Sequence, residues 1–180
     1  MHGGEWVHTS AAYVRPRGRG QKDAWTEETA ARGRSGTQRI VQAGEVEAPA
    51  EVGDALGLDP GATVIGRRRV IYLDGQATEL TDTYYPVDIA RGTRLAETAK
   101  IPGGAVTLLA SMGHVPHLVR EEVHARMPDT AERAVLAMGP DEPVLHLLRV
   151  THGADSQPFQ VDVSVFPATT QRLRYEMRVN

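Results

Sequence analysis

Asp74-Gly75 separates two runs of strand-forming residues, "VIGRRRVIYL" and "QATELTDTYYP". Both central positions of a type I′ turn need positive φ, so this pair predicts a two-residue loop joining antiparallel strands. A loop of fixed length also fixes register, because a slip of one residue sends every side chain to the opposite face. The expected register sets Arg67 opposite Asp82, Arg68 opposite Thr81 and Arg69 opposite Leu80. Arg67 and Arg69 then share one hairpin face with Asp82 and Tyr84, and Arg68 takes the other.

The remaining punctuation fits an α+β chain. Pro49 and Gly57 bracket a short helix with Val52, Ala55 and Leu56 on one side. "VDIARGTRLAE" and "PGGAVTLLASMG" read as further short helices, the second stopped by Gly113. "HLVREEVHARMP" alternates as a strand, with Glu121 interrupting its apolar face. Asp129 and Glu132 have the spacing of a capping box for a helix that Gly139 would end. Three strands follow: "PVLHLLRVT", "PFQVDVSVF" and "QRLRYEMRV". This order predicts a mostly antiparallel sheet with short helices on it.

Residues 1–38 differ, being rich in Gly and Arg with little apolar periodicity. They read as a flexible or partly ordered extension, with Trp6 and Trp25 as surface anchors. Residues 39–180 read as one globular domain, and 41% apolar content in 180 residues suffices for its core.

Composition excludes several classes. A formal charge of −3 gives no global field for binding nucleic acid. The absence of cysteine excludes disulfides, thiol nucleophiles and thiolate metal sites. No apolar run spans a bilayer and "MHGGEWVHTS" lacks the core of a signal peptide, so the expected location is cytoplasmic. The histidines are scattered, and neither a nucleophile elbow nor a Walker loop is present. No catalytic residue, metal or cofactor is therefore expected.

What remains is a set of polar groups on sheet positions. Arginine's fork of donors suits a carboxylate, phosphate or sulfate, and a buried guanidinium is costly unless paired. Arg67 and Arg69 thus read either as a subsite for a small anionic ligand or as structural pairs with Asp82 and Glu79. Glu121 reads as a ligand contact or as a carboxylate satisfied by an arginine. Gln160, Asp162 and Ser164 form either a pocket lining or a wet sheet face.

The segments "VGDALGL", "RRRVIYLDGQ", "DTYYP", "IARGTRLAE", "SMGHVPHLVREEVHARMP", "DTAERAVLAMGPDEPVLHLLRV" and "GADSQPFQVDVSVFP" together resemble the UTRA domain, the effector-binding part of HutC-type, GntR-family transcription regulators. The resemblance implies a chorismate-lyase-like fold with an internal pocket. It also implies a small metabolite effector, a homodimer, and DNA contact only through a winged helix-turn-helix part that this sequence lacks. "SAAYVRPRGRG" looks like the last strand of such a wing running into a linker. Carried over residue by residue, the anion contacts fall on Arg67 and Arg69 and the acidic position on Glu121. Gln160 stands where the family usually has glutamate, and Phe166 keeps an aromatic position whose neighbouring arginine and aspartate are missing. Two other readings are a dimerising scaffold without ligand and a chorismate-lyase-like enzyme, since fold does not transfer activity.

Overall fold

In the computed structural model, which describes residues 6–18, 21–177 and 179, a six-stranded antiparallel sheet organises the chain. After β1 (Trp6–His8) and α1 (Ala24–Ala31) come β2 (Gly36–Glu47), α2 (Ala50–Leu56), β3 (Thr63–Leu73) and β4 (Gln76–Pro86). The chain continues through α3 (Val87–Ala90), α4 (Ala105–Ser111), β5 (Leu118–Arg126), α5 (Thr130–Val135), β6 (Val144–His152), β7 (Pro158–Pro167) and β8 (Gln171–Leu173). Strand order in the large sheet is β2-β3-β4-β7-β6-β5, while β1 and β8 form a separate parallel pair.

The turn residues Asp74 and Gly75 have φ of 50° and 82°, as the type I′ geometry requires. The expected register holds for only two pairs beyond the turn. Leu73 faces Gln76 and Tyr72 faces Ala77, but Ile71 then faces Glu79, so Thr78 is the extra residue of a β-bulge. Beyond it Arg67 pairs with Thr83, Arg68 with Asp82 and Arg69 with Thr81. Asp82 and Tyr84 therefore lie on the face of Arg68, and their expected placement beside Arg67 and Arg69 is corrected. Thr78 is itself buried, and its hydroxyl accepts a hydrogen bond from Gln171 of β8.

Each face of the sheet is covered by its own elements. On one side α2 packs Val52 and Leu56 against Val64, Tyr84, Val150 and Val161, while Leu136 and Met138, just after α5, pack against Val144 and Val165. The other side has a cluster at each end. Ile65, Tyr85 and Phe159 meet Ala90, Leu95, Ile101 and Leu109 at one end. Trp6 and Trp25 meet Ile71 and Leu73 at the other.

The capping box of Asp129 and Glu132 is present, and Gly57 closes α2 in the left-handed region at φ 68°. Two expectations change. α5 stops at Val135, before Ala137 at φ 52°, rather than at Gly139. The last strand is confined to Gln171–Leu173 and joins β1 instead of the large sheet.

Residues 1–5, 19 and 20 of the expected extension lie outside the described residues; the rest carries β1 and α1. Trp6 and Trp25 are 1% and 6% exposed and meet edge to face at 5.1 Å. Described residues of "SAAYVRPRGRG" form a 3-10 turn at Ser10–Ala12 and irregular chain rather than a strand. Among the described residues no helix is long and apolar enough to cross a membrane.

Candidate functional site

The bulge determines which side chains line the sheet face between the two apolar clusters. One row across five strands reads Glu121, Arg149, Asp162, Thr83, Arg67, and the next row over four strands reads Leu147, Ser164, Thr81, Arg69. Apart from Glu121 and Leu147, the side chains of these rows floor a cavity of about 160 Å³. Its walls come from Tyr13, Arg17 and Trp25 on one side and from Lys100, Ile101 and Gly104 on another. Six basic side chains line it, Arg15, Arg17, Arg67, Arg69, Lys100 and Arg149, against three carboxylates, Asp23, Glu79 and Asp162. The lining thus has a cationic excess, although the whole chain is acidic.

The cations are not equivalent. Arg67, 5% exposed, donates to the carbonyls of Glu97 and Ala99, the latter at 2.6 Å, with the Arg94 carbonyl 3.4 Å from Nη1. Burial holds its pKa below the usual guanidinium value, and nearby Arg69 adds to that. Arg69 donates from Nη2 to Thr83 Oγ1 at 2.9 Å, and its buried Nε meets no acceptor among the described residues. Arg149 pairs with Glu121 at 2.5 Å and donates to Ser10 Oγ at 3.0 Å. Burial works against the Arg149 charge, but Asp162 and Glu121 outweigh it and raise the pKa. Burial likewise opposes ionisation of Glu121, and Arg149 holds it below the ordinary carboxylate value.

Asp162 collects the polar floor. Thr83 Oγ1 donates to its Oδ1 at 2.7 Å and Gln160 Nε2 to its Oδ2 at 2.7 Å. Ser164 and Thr81 share a hydrogen bond of 2.9 Å. Tyr85 lies beside them with its phenol pKa raised by burial and by Asp162. On the wall, Trp25 Nε1 donates to the Tyr72 carbonyl at 3.0 Å, and Lys100 pairs with Asp23 at 3.0 Å.

Of the expected site residues, Arg67, Arg69 and Gln160 line the cavity. Glu121 does not line it but holds Arg149, which does. Asp82 accepts a two-pronged contact from Arg68 on the opposite face, and Tyr84, its phenol raised to about 12 chiefly by burial, packs there too. Phe166 packs against His8 outside the cavity, the two rings tilted with centroids 4.9 Å apart. Arg149 and the N-terminal wall were missed, although an isolated arginine within the apolar "VLHLLRV" is a readable signal. Among the described residues no three His, Asp or Glu side chains converge as a metal-binding set.

A comparison with protein families matches residues 31–172 to the UTRA domain. The chain belongs to the UTRA domain family. An HTH-type transcriptional regulator of Streptomyces coelicolor is 31% identical over 74% of this chain and 51% of the relative. One from Rhizobium meliloti is 28% identical over 78% and 57%. This UTRA chain spans about half the length of the curated relatives it matches. The effector domain of PhnF from Mycobacterium smegmatis superimposes with a TM-score of 0.72 at 25% identity, covering 92% of this chain and 99% of that one. The C-terminal domain of the histidine utilization repressor from Pseudomonas syringae pv. tomato shares the fold, with a TM-score of 0.67 at 19% identity over 80% and 99% of the two chains. The UTRA domain described here thus matches the effector domains of GntR-family transcription regulators.

Proposed function

We propose that this UTRA domain senses a small anionic metabolite in the cavity floored by Arg69, Arg149 and Asp162. Occupancy would alter how a winged helix-turn-helix part engages DNA within a longer, cytoplasmic regulator. The observation that carries this reading is a cation-rich cavity on one sheet face, closed at both ends by apolar clusters. An effector shifts such an equilibrium only as far as its affinity differs between the two arrangements of the regulator.

The site binds rather than transforms in this reading, and it uses no cofactor. The segment before residue 39 belongs to the sensing unit, because Tyr13, Arg17 and Trp25 wall the cavity. The domain pairs with a second copy. Supporting that, β5 is a sheet edge with Leu118 and Val123 half exposed, an arrangement suited to covering by another chain. The scaffold reading draws support from Arg67, whose donors go to backbone carbonyls, and from Arg149, which pairs with Glu121.

The test is a thermal-shift screen of the whole chain against sugar phosphates, amino acids, dicarboxylates and aromatic acids, with Arg69→Ala alongside. A compound that raises the wild-type midpoint and leaves Arg69→Ala unmoved is the expected result. No shift with any anion would favour the scaffold, and release of pyruvate from chorismate would favour an enzyme.

A further inference from the structure

Gln160 is 6% exposed and lies in the cavity floor. Its Nε2 donates to Asp162 Oδ2 at 2.7 Å. A carboxylate only accepts, so this contact fixes the amide orientation: the NH₂ turns to Asp162 and Oε1 turns away. Among the described residues no group donates to that buried Oε1. At the other end of the same hydrogen-bonded strip, Asp162 accepts from Thr83 Oγ1, and Thr83 Oγ1 accepts from Arg69 Nη2. Arg69 Nε is buried and likewise without an acceptor among the described residues. The floor therefore ends in a bare acceptor on one side and a bare cationic donor on the other. Leaving a buried polar group unpaired costs free energy, and a ligand that completes both ends recovers it.

Resting on the effector reading above, we infer that Gln160 sets specificity by demanding a neutral hydrogen-bond donor on the ligand in addition to its acid group. The ligand class is a small hydroxy acid, or an acid bearing a neutral N–H, rather than a plain carboxylate. Glutamate at this position would welcome a cationic group, whereas the amide carbonyl asks only for O–H or N–H. The cavity volume of about 160 Å³ limits the size. Cavities of about 150 Å³ accommodate benzene, so the ligand has on the order of six to ten non-hydrogen atoms.

Calorimetric titration of the whole chain with two matched pairs, 4-hydroxybenzoate against benzoate and malate against succinate, tests this. In at least one pair the hydroxylated acid should bind about tenfold or more tightly than its partner, because a site built to hydrogen-bond a hydroxyl rejects the analogue lacking it. Gln160→Leu should abolish the preference, bringing the two members of each pair to equal affinity. Gln160→Met, closer in shape, repeats the test if Gln160→Leu fails to fold. Equal binding within both pairs, or a preference that survives both substitutions, overturns the inference and leaves the effector reading standing. If none of the four acids binds, the inference falls together with the reading of the cavity as an acid site.

Discussion

Arg67 and Arg69 stand two residues apart on the same face of β3, yet their guanidinium groups are in opposite conditions. Arg67 spends its donors on backbone carbonyls of the segment between Arg94 and Ala99, while Arg69 keeps a buried Nε without an acceptor among the described residues. One is a strut and the other keeps a donor unmet.

Arg67→Ala should therefore cost about 3 kcal/mol, since it removes a buried charged donor and the contacts by which it ties the Arg94–Ala99 segment to the sheet. Arg67→Lys should recover little, because a single ammonium cannot reach carbonyls spread across a guanidinium fork. Arg69→Ala should cost under about 1 kcal/mol, since only its one hydrogen bond to a neutral hydroxyl, Thr83 Oγ1, is lost. Urea midpoints at constant slope separate the two, and equal losses would contradict the assignment.

Glu121 and Arg149 make a prediction about acid stability. Their side chains are 9% and 13% exposed, and breaking such a pair from one side costs about 3 kcal/mol, the expectation for Glu121→Leu at neutral pH. Glu121 has its pKa lowered on folding, where burial is outweighed by Arg149. Its contribution is thus complete above the ordinary glutamate value and drains away as pH falls through the depressed one. Glu121→Gln should flatten the stability curve below about pH 4.5. An unchanged acid limb in the variant would refute this.

His146 acts in a higher window. It packs at 4.6 Å from His124 of β5, near Glu51 of α2 and close to Arg126 and Glu132. Burial lowers its pKa first, with His124 and Arg126 adding and Glu51 and Glu132 opposing. The folded form resists the proton that the unfolded chain takes up below about pH 6.5, so stability should decline as pH drops from there. His146→Gln should reduce the difference in thermal midpoint between pH 7.5 and 5.5.

Gly36 begins β2 directly beneath α1. A Cβ there would lie 2.5 Å from Thr29 Oγ1 and 2.7 Å from Trp25 Nε1, both held by hydrogen bonds of their own. Gly36→Ala should push α1 off the sheet, loosening the Trp25 wall of the cavity. Loss of indole burial by fluorescence, with ligand affinity falling more than global stability, is the expected pattern.

Local chemistry made much of this legible. Asp74-Gly75, Pro49 with Gly57, and Asp129 with Glu132 each specify a short piece of backbone by their own geometry, and the structure has all three. The site was half legible because its floor depends on register, and register depends on Thr78. Nothing in threonine marks a bulge, since β-branched residues suit a regular strand equally. A signal existed one step away: only the shifted register sets Arg68 directly across from Asp82, an opposite-charge pair that stabilises an exposed sheet face. The N-terminal wall was hidden for another reason. Gly and Arg enrichment describes a segment that cannot build its own core, but two tryptophans let it borrow one from Ile71 and Leu73.

The bulge at Thr78 also sets a reading frame. Pairing the same residues without the bulge would turn Asp82 and Tyr84 toward the cavity and expel Thr81 and Thr83, with no substitution at any of them. Asp82 and Tyr84 would enter under the same arginines as Glu79 and two threonine hydroxyls left. Related chains with and without the bulge would thus shape their cavities differently through a change of phase, and a position-by-position comparison of their cavity residues would not show why.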